Sequence, residues 1–432
     1  MAHSHFLISA TSSDGGKTTF TLGLLRLLKR RGMRVQPFKC GPDYIDPKYH
    51  ALACGEVSVN LDGYMMSPEH IRDLYERYSH GADVSITEGV MGFFDGYDRM
   101  SGSSAALSEL MGLPVLLLVN AGSTAYSVAP ILYGFKHFRP AVAPVGVVFN
   151  RVASPSHYEY LRAAAEDAGI VSLGYLPKME NVSVPSRHLG LSTENMAQYR
   201  ELPDRVADAI EQYVQVDKLL ELTERVSTPR LNVKTDEPSS SSTIIAVAED
   251  EAFNFTYREN LRRLSEWGQI VRYSPIRDKH LPEGCDFLYL PGGYPEFFLH
   301  ELSANESMRR SVRDYIESGG RTLAECGGMM YLCSEINGMD GLSYPMCGVL
   351  EERCTMEGMR LHLGYRRLLY GGRELRGHEF HYSTTEGTTP SAGEQYDVRG
   401  RRVDTPLYRY KNLLAGYTHL YWGEEDLRSW FD

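Results

Sequence analysis

Five short apolar runs, at Phe6–Ser9, Arg34–Phe38, Val84–Thr87, Val115–Val119 and Val145–Phe149, pass through the first half of the chain with helical stretches such as Thr18–Arg31 between them. Strands separated by a helix cannot close as hairpins, so they line up parallel and the crossover helices cover both faces of the sheet. This rhythm predicts an α/β fold with a doubly wound parallel sheet. Gly32, directly after Lys29-Arg30-Arg31, reads as a helix stop, because basic residues suit the helix C-terminus and Gly accepts the left-handed cap. The rhythm breaks once. A Leu-rich helical pattern fades over Asp217–Val226, and Ser227-Thr228-Pro229, Asp236-Glu237-Pro238 and four serines to Ser242 read as a linker over 227–242. A fresh buried-strand pattern at Thr243–Ala248 continues through Phe287–Leu290 and Thr322–Ala324, which predicts a second α/β domain. The expected division is a first domain over 1–235 and a second over 243–432, in keeping with a chain of 432 residues.

The formal charge of -11 argues against a broad nucleic-acid or acidic-lipid surface, so any anionic ligand has to be met by a local basic pocket. Seven cysteines without a close CxxC pair suit a reducing compartment better than a disulfide framework. The first residues lack the long apolar core of a signal peptide, and the longest strongly apolar stretch, Leu113–Val119, is far below spanning length. A cytoplasmic protein without nucleic-acid or membrane partners is expected. His3 and His5 are read as solvated on a frayed terminus and not as a metal site.

Directly after the first strand stands Ala10-Thr11-Ser12-Ser13-Asp14-Gly15-Gly16-Lys17-Thr18-Thr19, followed by a helix, which is the setting a phosphate-cradling loop requires. Gly15 and Gly16 let backbone N–H groups of the loop turn toward phosphates, and the helix N-terminus adds partial positive charge. Lys17 can reach the outer phosphates and Thr18 can ligate Mg²⁺, with Ser13 and Thr19 completing the cradle for ATP. Glu88 ends a later apolar strand at the edge where ligands bind in such sheets, a fitting place for an Mg²⁺ ligand. Asp43 and Asp46, in Gly41-Pro42-Asp43-Tyr44-Ile45-Asp46-Pro47, sit on a rigid turn after the second strand that can aim both at the same pocket.

The second half carries a strand, then Glu325-Cys326-Gly327-Gly328, then a helical run: a nucleophile elbow. Cys326 can attack the side-chain carbonyl of L-glutamine while His419 takes the thiol proton. Backbone N–H groups near Gly293 and Gly327 can hold the oxyanion. Ammonia leaves and a thioester remains. Among fourteen histidines, His378 and His381 also look site-like, lining the glutamine site or a domain interface, or simply completing a polar strand.

Taken together, the phosphate loop, Gly41–Asp46, Glu88-Gly89-Val90-Met91-Gly92-Phe93-Phe94-Asp95-Gly96, Pro291-Gly292-Gly293-Tyr294-Pro295-Glu296 and the Cys326 elbow resemble the cobyrinate a,c-diamide synthase family over essentially the whole chain. The resemblance implies an N-terminal P-loop synthetase domain like that of dethiobiotin synthetase and a C-terminal domain like the class I glutamine amidotransferases, flavodoxin-like in fold. It implies that Mg-ATP phosphorylates a carboxylate of a tetrapyrrole polycarboxylate and that ammonia from glutamine displaces the phosphate, the c position before the a position. By the same resemblance Asp43, Asp46 and Glu88 lie near metal and phosphates, Tyr44 and Asp95 near the acceptor, and Asn150 near the adenine. Two positions depart from the wider pattern of related proteins: Tyr421 stands where most class I amidotransferases have a Glu, leaving a Cys–His dyad, and Asn120 replaces an Asp. Hydrogenobyrinate and nickel-sirohydrochlorin remain as substrates, a partitioning-type ATPase switch or a tetrapyrrole carrier with an inactive second domain as other classes, and a homodimer among the possible assemblies.

Overall fold

A computed structural model describes residues 2–179, 201–226 and 241–431, which form two compact units, the first up to residue 226 and the second from residue 241. The expected linker lies, except for Ser241 and Ser242, outside the described residues.

In the first unit the strands are β1 (Ala2–Ala10), β2 (Val35–Cys40), β3 (Val59–Leu61), β4 (Val84–Glu88), β5 (Val115–Asn120), β6 (Pro144–Val152), β7 (Val171–Pro177) and β8 (Glu224–Val226). The first seven stand in the order β3-β2-β4-β1-β5-β6-β7, every neighbouring pair parallel. The chain leaves β1 toward one side of the sheet and returns past it to the other, so the crevice beyond the carboxyl end of β1 is a switch point, where such sheets bind ligands. One face packs Leu117, Val119, Val147 and Phe149 against Leu132, Leu161 and Ala165 from helices Ala129–His137 and Pro155–Asp167. Helix α1 (Lys17–Arg30) lies against helix Leu202–Tyr213 at Gly23, where a Cβ would stand 2.3 Å from a methyl of Val206. Gly32 has φ +79°, as the helix stop requires.

Two expectations are corrected. The fading helix over Asp217–Val226 ends at Leu222, and Glu224–Val226 becomes β8, antiparallel to the first residues of β1. It pairs there because β1 begins four residues earlier than its apolar run, with Ala2, His3 and Ser4 in ladder positions. His3 and His5 are therefore not frayed: they project from one face of β1 with rings stacked 3.7 Å apart, His3 on the Ser85 hydroxyl and His5 on the Tyr75 hydroxyl.

The second unit has a central sheet of β9 (Ile244–Ala248), β10 (Gln269–Tyr273), β11 (Cys285–Leu290), β12 (Arg321–Glu325), β13 (Leu407–Tyr410) and β14 (Leu413–Gly416), ordered β10-β9-β11-β12-β14-β13. All pairs are parallel except β13 with β14. A second, antiparallel sheet holds His362–Tyr370, Arg373–His381 and β15 (His419–Tyr421). No helix among the described residues is long and apolar enough to cross a membrane.

Candidate functional site

In the first unit the chain leaves β1 at Ala10, makes a single tight turn over Ser13–Gly15 and enters α1 at Lys17. Gly16 has φ +90°, and a Cβ on Gly15 would stand 2.4 Å from that of Ala10, so both positions need glycine. Ser13 is exposed, and Thr19 lies half-buried in the first turn of α1. The buried Lys17 ammonium donates to the carbonyl of Met91 at 2.5 Å and toward those of Ser12 at 3.3 Å and Ser13 at 3.5 Å, so it already points along the loop. Asn150, at the far end of β6, donates to the Gly15 carbonyl at 3.1 Å and accepts from the Arg151 N–H at 2.9 Å. Its amide braces the loop.

The parallel register sets Glu88 beside Ile8 on one side and Lys39 on the other. Glu88 Oε1 accepts from the Thr18 hydroxyl at 2.7 Å and from the Lys39 ammonium at 2.9 Å, while Oε2 meets His50 Nε2 at 2.7 Å. Asp46, the first residue of helix α2 (Asp46–Cys54), pairs with the same ammonium at 2.6 Å and lies 3.5 Å from the Thr18 hydroxyl. Asp43 lies just behind: its Oδ1 accepts the N–H groups of Ile45 and Asp46, both at 2.9 Å, which starts α2 and aims Asp46. Burial alone would depress the Lys39 pKa, but Asp46, Glu88 and Asp43 outweigh it and hold the ammonium above its ordinary value. Burial likewise works against the Glu88 charge, yet Lys39 and His50 keep this carboxyl well below the usual range. Tyr44 is buried beside this turn, and exposed Asp95 accepts from the Gly92 N–H at 3.0 Å in the loop after β4. Asn120 accepts from the Gly122 N–H, a turn-forming role.

Lys39 and His50 escaped the sequence reading. The signal for Lys39 is a lysine inside a strand covered on both faces, which can stay buried only if carboxylates meet it. His50 has no comparable signal, since its place on α2 becomes meaningful only once Glu88 is opposite.

In the second unit β12 runs into Cys326, whose backbone (φ +48°, ψ −110°) lies in a region side chains rarely adopt, and then into helix α3 (Gly327–Leu332). Such strain persists where the surroundings fix it. Here the Cys326 N–H is held by the Gly416 carbonyl at 2.7 Å and its carbonyl by the Met330 N–H at 2.9 Å. A Cβ on Gly328 would stand 2.1 Å from the Leu290 carbonyl, and one on Gly327 2.7 Å from Pro295 and 3.2 Å from the Gly293 nitrogen. The elbow thus presses against the Gly292-Gly293 turn. On the other flank of that turn lies His419, with Cε1 2.2 Å from where a Gly292 Cβ would be. His419 pairs in register with His378, their rings stacked 5.1 Å apart, and the Tyr257 hydroxyl meets His378 Nδ1 at 3.0 Å. His381 stacks on Tyr417 at 3.7 Å. Tyr421 is buried with its ring edge-on to Tyr257.

Burial, with His378 and His381 adding to it, holds His419 well below its ordinary pKa, so the imidazole is neutral. Burial and then the Glu296 carboxylate push the Cys326 thiol well up. At rest an un-ionised thiol and a neutral base flank the Gly292-Gly293 turn. This pair can work by general-base catalysis, the proton moving to His419 as sulfur attacks.

In the first unit the described residues include no group of three or more His, Cys, Asp or Glu side chains set to hold a metal. Mg²⁺ does not need one: it takes one or two carboxylates, a hydroxyl and phosphate oxygens. The hard oxygens of Thr18, Asp46 and Glu88, converging at the loop, fit that requirement.

Residues 6–191 match the CobQ/CobB/MinD/ParA nucleotide binding domain, and residues 244–427 match the CobB/CobQ-like glutamine amidotransferase domain. Similar curated proteins include the cobyrinate a,c-diamide synthases of Priestia megaterium, 38% identical over 98% of this chain and 95% of that one, and Caldanaerobacter subterraneus subsp. tengcongensis, 39% identical over 99% and 97%. That of Salmonella typhimurium is 38% identical over 99% of this chain and 97% of its own.

Proposed function

Because the chain belongs to the cobyrinate a,c-diamide synthase family of glutamine-dependent ligases, we propose that it converts the a and c side-chain carboxylates of cobyrinate into amides, in cobalamin biosynthesis in the reducing cytoplasm. The observation that carries this reading is the presence in one chain of two side-chain clusters: Lys17, Thr18, Asp46 and Glu88 around a phosphate loop, and Cys326 at an elbow with His419 across the Gly292-Gly293 turn.

Backbone N–H groups from Ser13 to Thr19 cradle the phosphates of ATP, and Lys17 swings from the Met91 carbonyl to the outer phosphate. Thr18, Asp46 and Glu88, with Asp43 behind them, would hold Mg²⁺, whose charge would offset that of the phosphates during phosphoryl transfer. The Lys39 ammonium lies between the two carboxylates and stabilises the same developing charge. Tyr44 and Asp95 face the acceptor. In the second unit the Cys326 sulfur attacks the glutamine amide carbon and its proton goes to His419. The oxyanion rests on the N–H groups at Gly293 and Gly327. The proton then passes from His419 to the departing ammonia. Water hydrolyses the thioester, and ammonia displaces phosphate from the acyl phosphate.

The test is mass spectrometry of cobyrinic and hydrogenobyrinic acids and nickel-sirohydrochlorin after incubation with the protein, ATP, Mg²⁺ and glutamine. Two carboxyl-to-amide conversions on cobyrinate, absent without ATP, are expected. Conversion only of another ring replaces the substrate. ATP turnover that ignores glutamine and converts no ring points to the partitioning-type switch and overturns the reading.

A further inference from the structure

We infer that Glu325, the residue before the nucleophile, is a positioning residue that ties the strand bearing His419 to the strand bearing Cys326, and so does by a backbone contact what a carboxylate on the imidazole does in a triad. This rests on the glutaminase reading above and deepens it.

β15 is three residues long and pairs on one side only, with Arg373–His381. A short edge strand frays unless its outer amide and carbonyl are met. Both are met by buried side chains. The Leu420 N–H donates to Glu325 Oε1 at 2.9 Å, and its carbonyl accepts from Asn260 Nδ2 at 2.8 Å, with the Trp422 N–H returning to Asn260 Oδ1 at 3.0 Å. Glu325 Oε2 accepts the Tyr289 hydroxyl at 2.8 Å, so the carboxyl is itself fixed from β11. Three elements therefore converge on one side chain: β11 through Tyr289, β12 through Glu325 itself, and β15 through Leu420.

The placement of these contacts follows the chemistry. Leu420 directly follows the base and Glu325 directly precedes the nucleophile, so any slip of β15 changes the sulfur-to-imidazole geometry at once. Tyr421 occupies the place that would carry a triad acid, and its ring turns toward Tyr257. The His419 ring is confined instead by His378 on one side and the space above Gly292 on another, which limits its tilt but not its height along the strand. The Glu325 contact sets that height. Burial pushes the Glu325 carboxyl up to about 8, so at neutral pH it is chiefly uncharged, and an amide of the same shape can keep the acceptor for Leu420 while its NH2 donates to the Tyr289 oxygen as that hydroxyl turns.

The test uses the full chain with Glu325→Met, which keeps volume and removes the acceptor, and Glu325→Gln, which keeps it. Wild type, which must first hydrolyse glutamine, is the control for the function itself; without that activity the parent reading fails and not this one. For Glu325→Met, glutaminase kcat is expected to fall about 10²-fold, the loss typical of a misplacement near 1 Å, with KM for glutamine unchanged. Glu325→Gln is expected to stay within about threefold of wild type, a small fraction of that loss. Amidation from free ammonia should be unchanged in both. Hydrogen exchange read on peptides over 417–423 should speed up in Glu325→Met and not in Glu325→Gln, a measurement that stands even if the Met variant is inactive for other reasons. Unchanged exchange in Glu325→Met, a kcat close to wild type, or equal loss in Gln and Met overturns the assignment.

Discussion

Replacing Lys39 by Met removes the cation from a buried cluster while keeping most of the side-chain volume. Asp46 at 2.6 Å and Glu88 at 2.9 Å then face each other across an apolar stem. Breaking a buried pair by removing one partner costs about 3–5 kcal/mol. The lower end applies, because Glu88 keeps its bonds from Thr18 and His50, and Asp46 keeps the Thr18 hydroxyl at 3.5 Å. At about 2–4 °C per kcal/mol for a unit of this size, 3 kcal/mol lowers the melting point by about 6–12 °C. The assay is calorimetry, following the transition that moves with Mg-ATP. The sign of the pH dependence checks the cause. The Glu88 pKa in the folded protein lies below its unfolded value, so its contribution is present above that value and lost as pH falls through the folded one. Without Lys39 that depression largely disappears, so the gap between variant and wild type should hold at neutral pH and narrow only as pH falls below the ordinary carboxyl pKa, about 4.3, toward the lower folded value. A second substitution, Glu88→Gln in the Lys39→Met background, should recover part of the loss. A melting point within about 2 °C of wild type, less than 1 kcal/mol, together with an unchanged pH slope, would refute the claim that this ammonium holds the site together.

Gly292→Ala places a Cβ 2.2 Å from the His419 ring, whose burial leaves it little room to yield; glutamine hydrolysis should fall about 10²-fold while amidation from free ammonia persists, measured side by side. Cys326→Ala should abolish glutamine-supported amidation and spare the ammonia reaction, whereas Lys17→Ala should abolish both, since phosphate transfer precedes either nitrogen source; an ammonia reaction retained in Lys17→Ala would count against its phosphate role. Because burial and Glu296 raise the Cys326 pKa, alkylation of this thiol by iodoacetamide should be slow at pH 7 without glutamine and should rise steeply only well above pH 9, the upper end for an ordinary thiol; a plateau below pH 7 would mean a resting ion pair with His419.

Elements of the fold whose cause is local were legible in the sequence. Apolar runs of strand length, the glycines at Gly15, Gly16 and Gly32, and the Cys326-Gly327-Gly328 elbow each impose their geometry through sterics within a few residues. What stayed hidden depends on partners far away in the chain. β8 forms because β1 extends past its apolar run, and neither segment signals the other. The Asn150 amide holds the Gly15 carbonyl, a contact between residues 135 positions apart that no local pattern announces. Lys39 and His50 acquire meaning only when the register of β2 and β4 brings Glu88 alongside.

The same distinction separates how the two sites are kept ready. Around the phosphate loop, opposite charges are already paired: Lys39 stands between Asp46 and Glu88, and Thr18 is hydrogen-bonded to the latter. On the proposed reading, Mg-ATP entering there would exchange one set of charge-assisted bonds for another, so the site can be rigid before it is filled, which is the arrangement electrostatic catalysis favours. At the elbow, burial removes charge instead, leaving a thiol and a neutral imidazole, with the strain at Cys326 held by backbone bonds on both sides. On the proposed reading, attack would wait until a glutamine carbonyl reaches the Gly293 and Gly327 N–H groups and makes charge development favourable. A buried neutral dyad of this kind depends on placement alone, which is why the contacts that fix β15 matter more to it than any single charge.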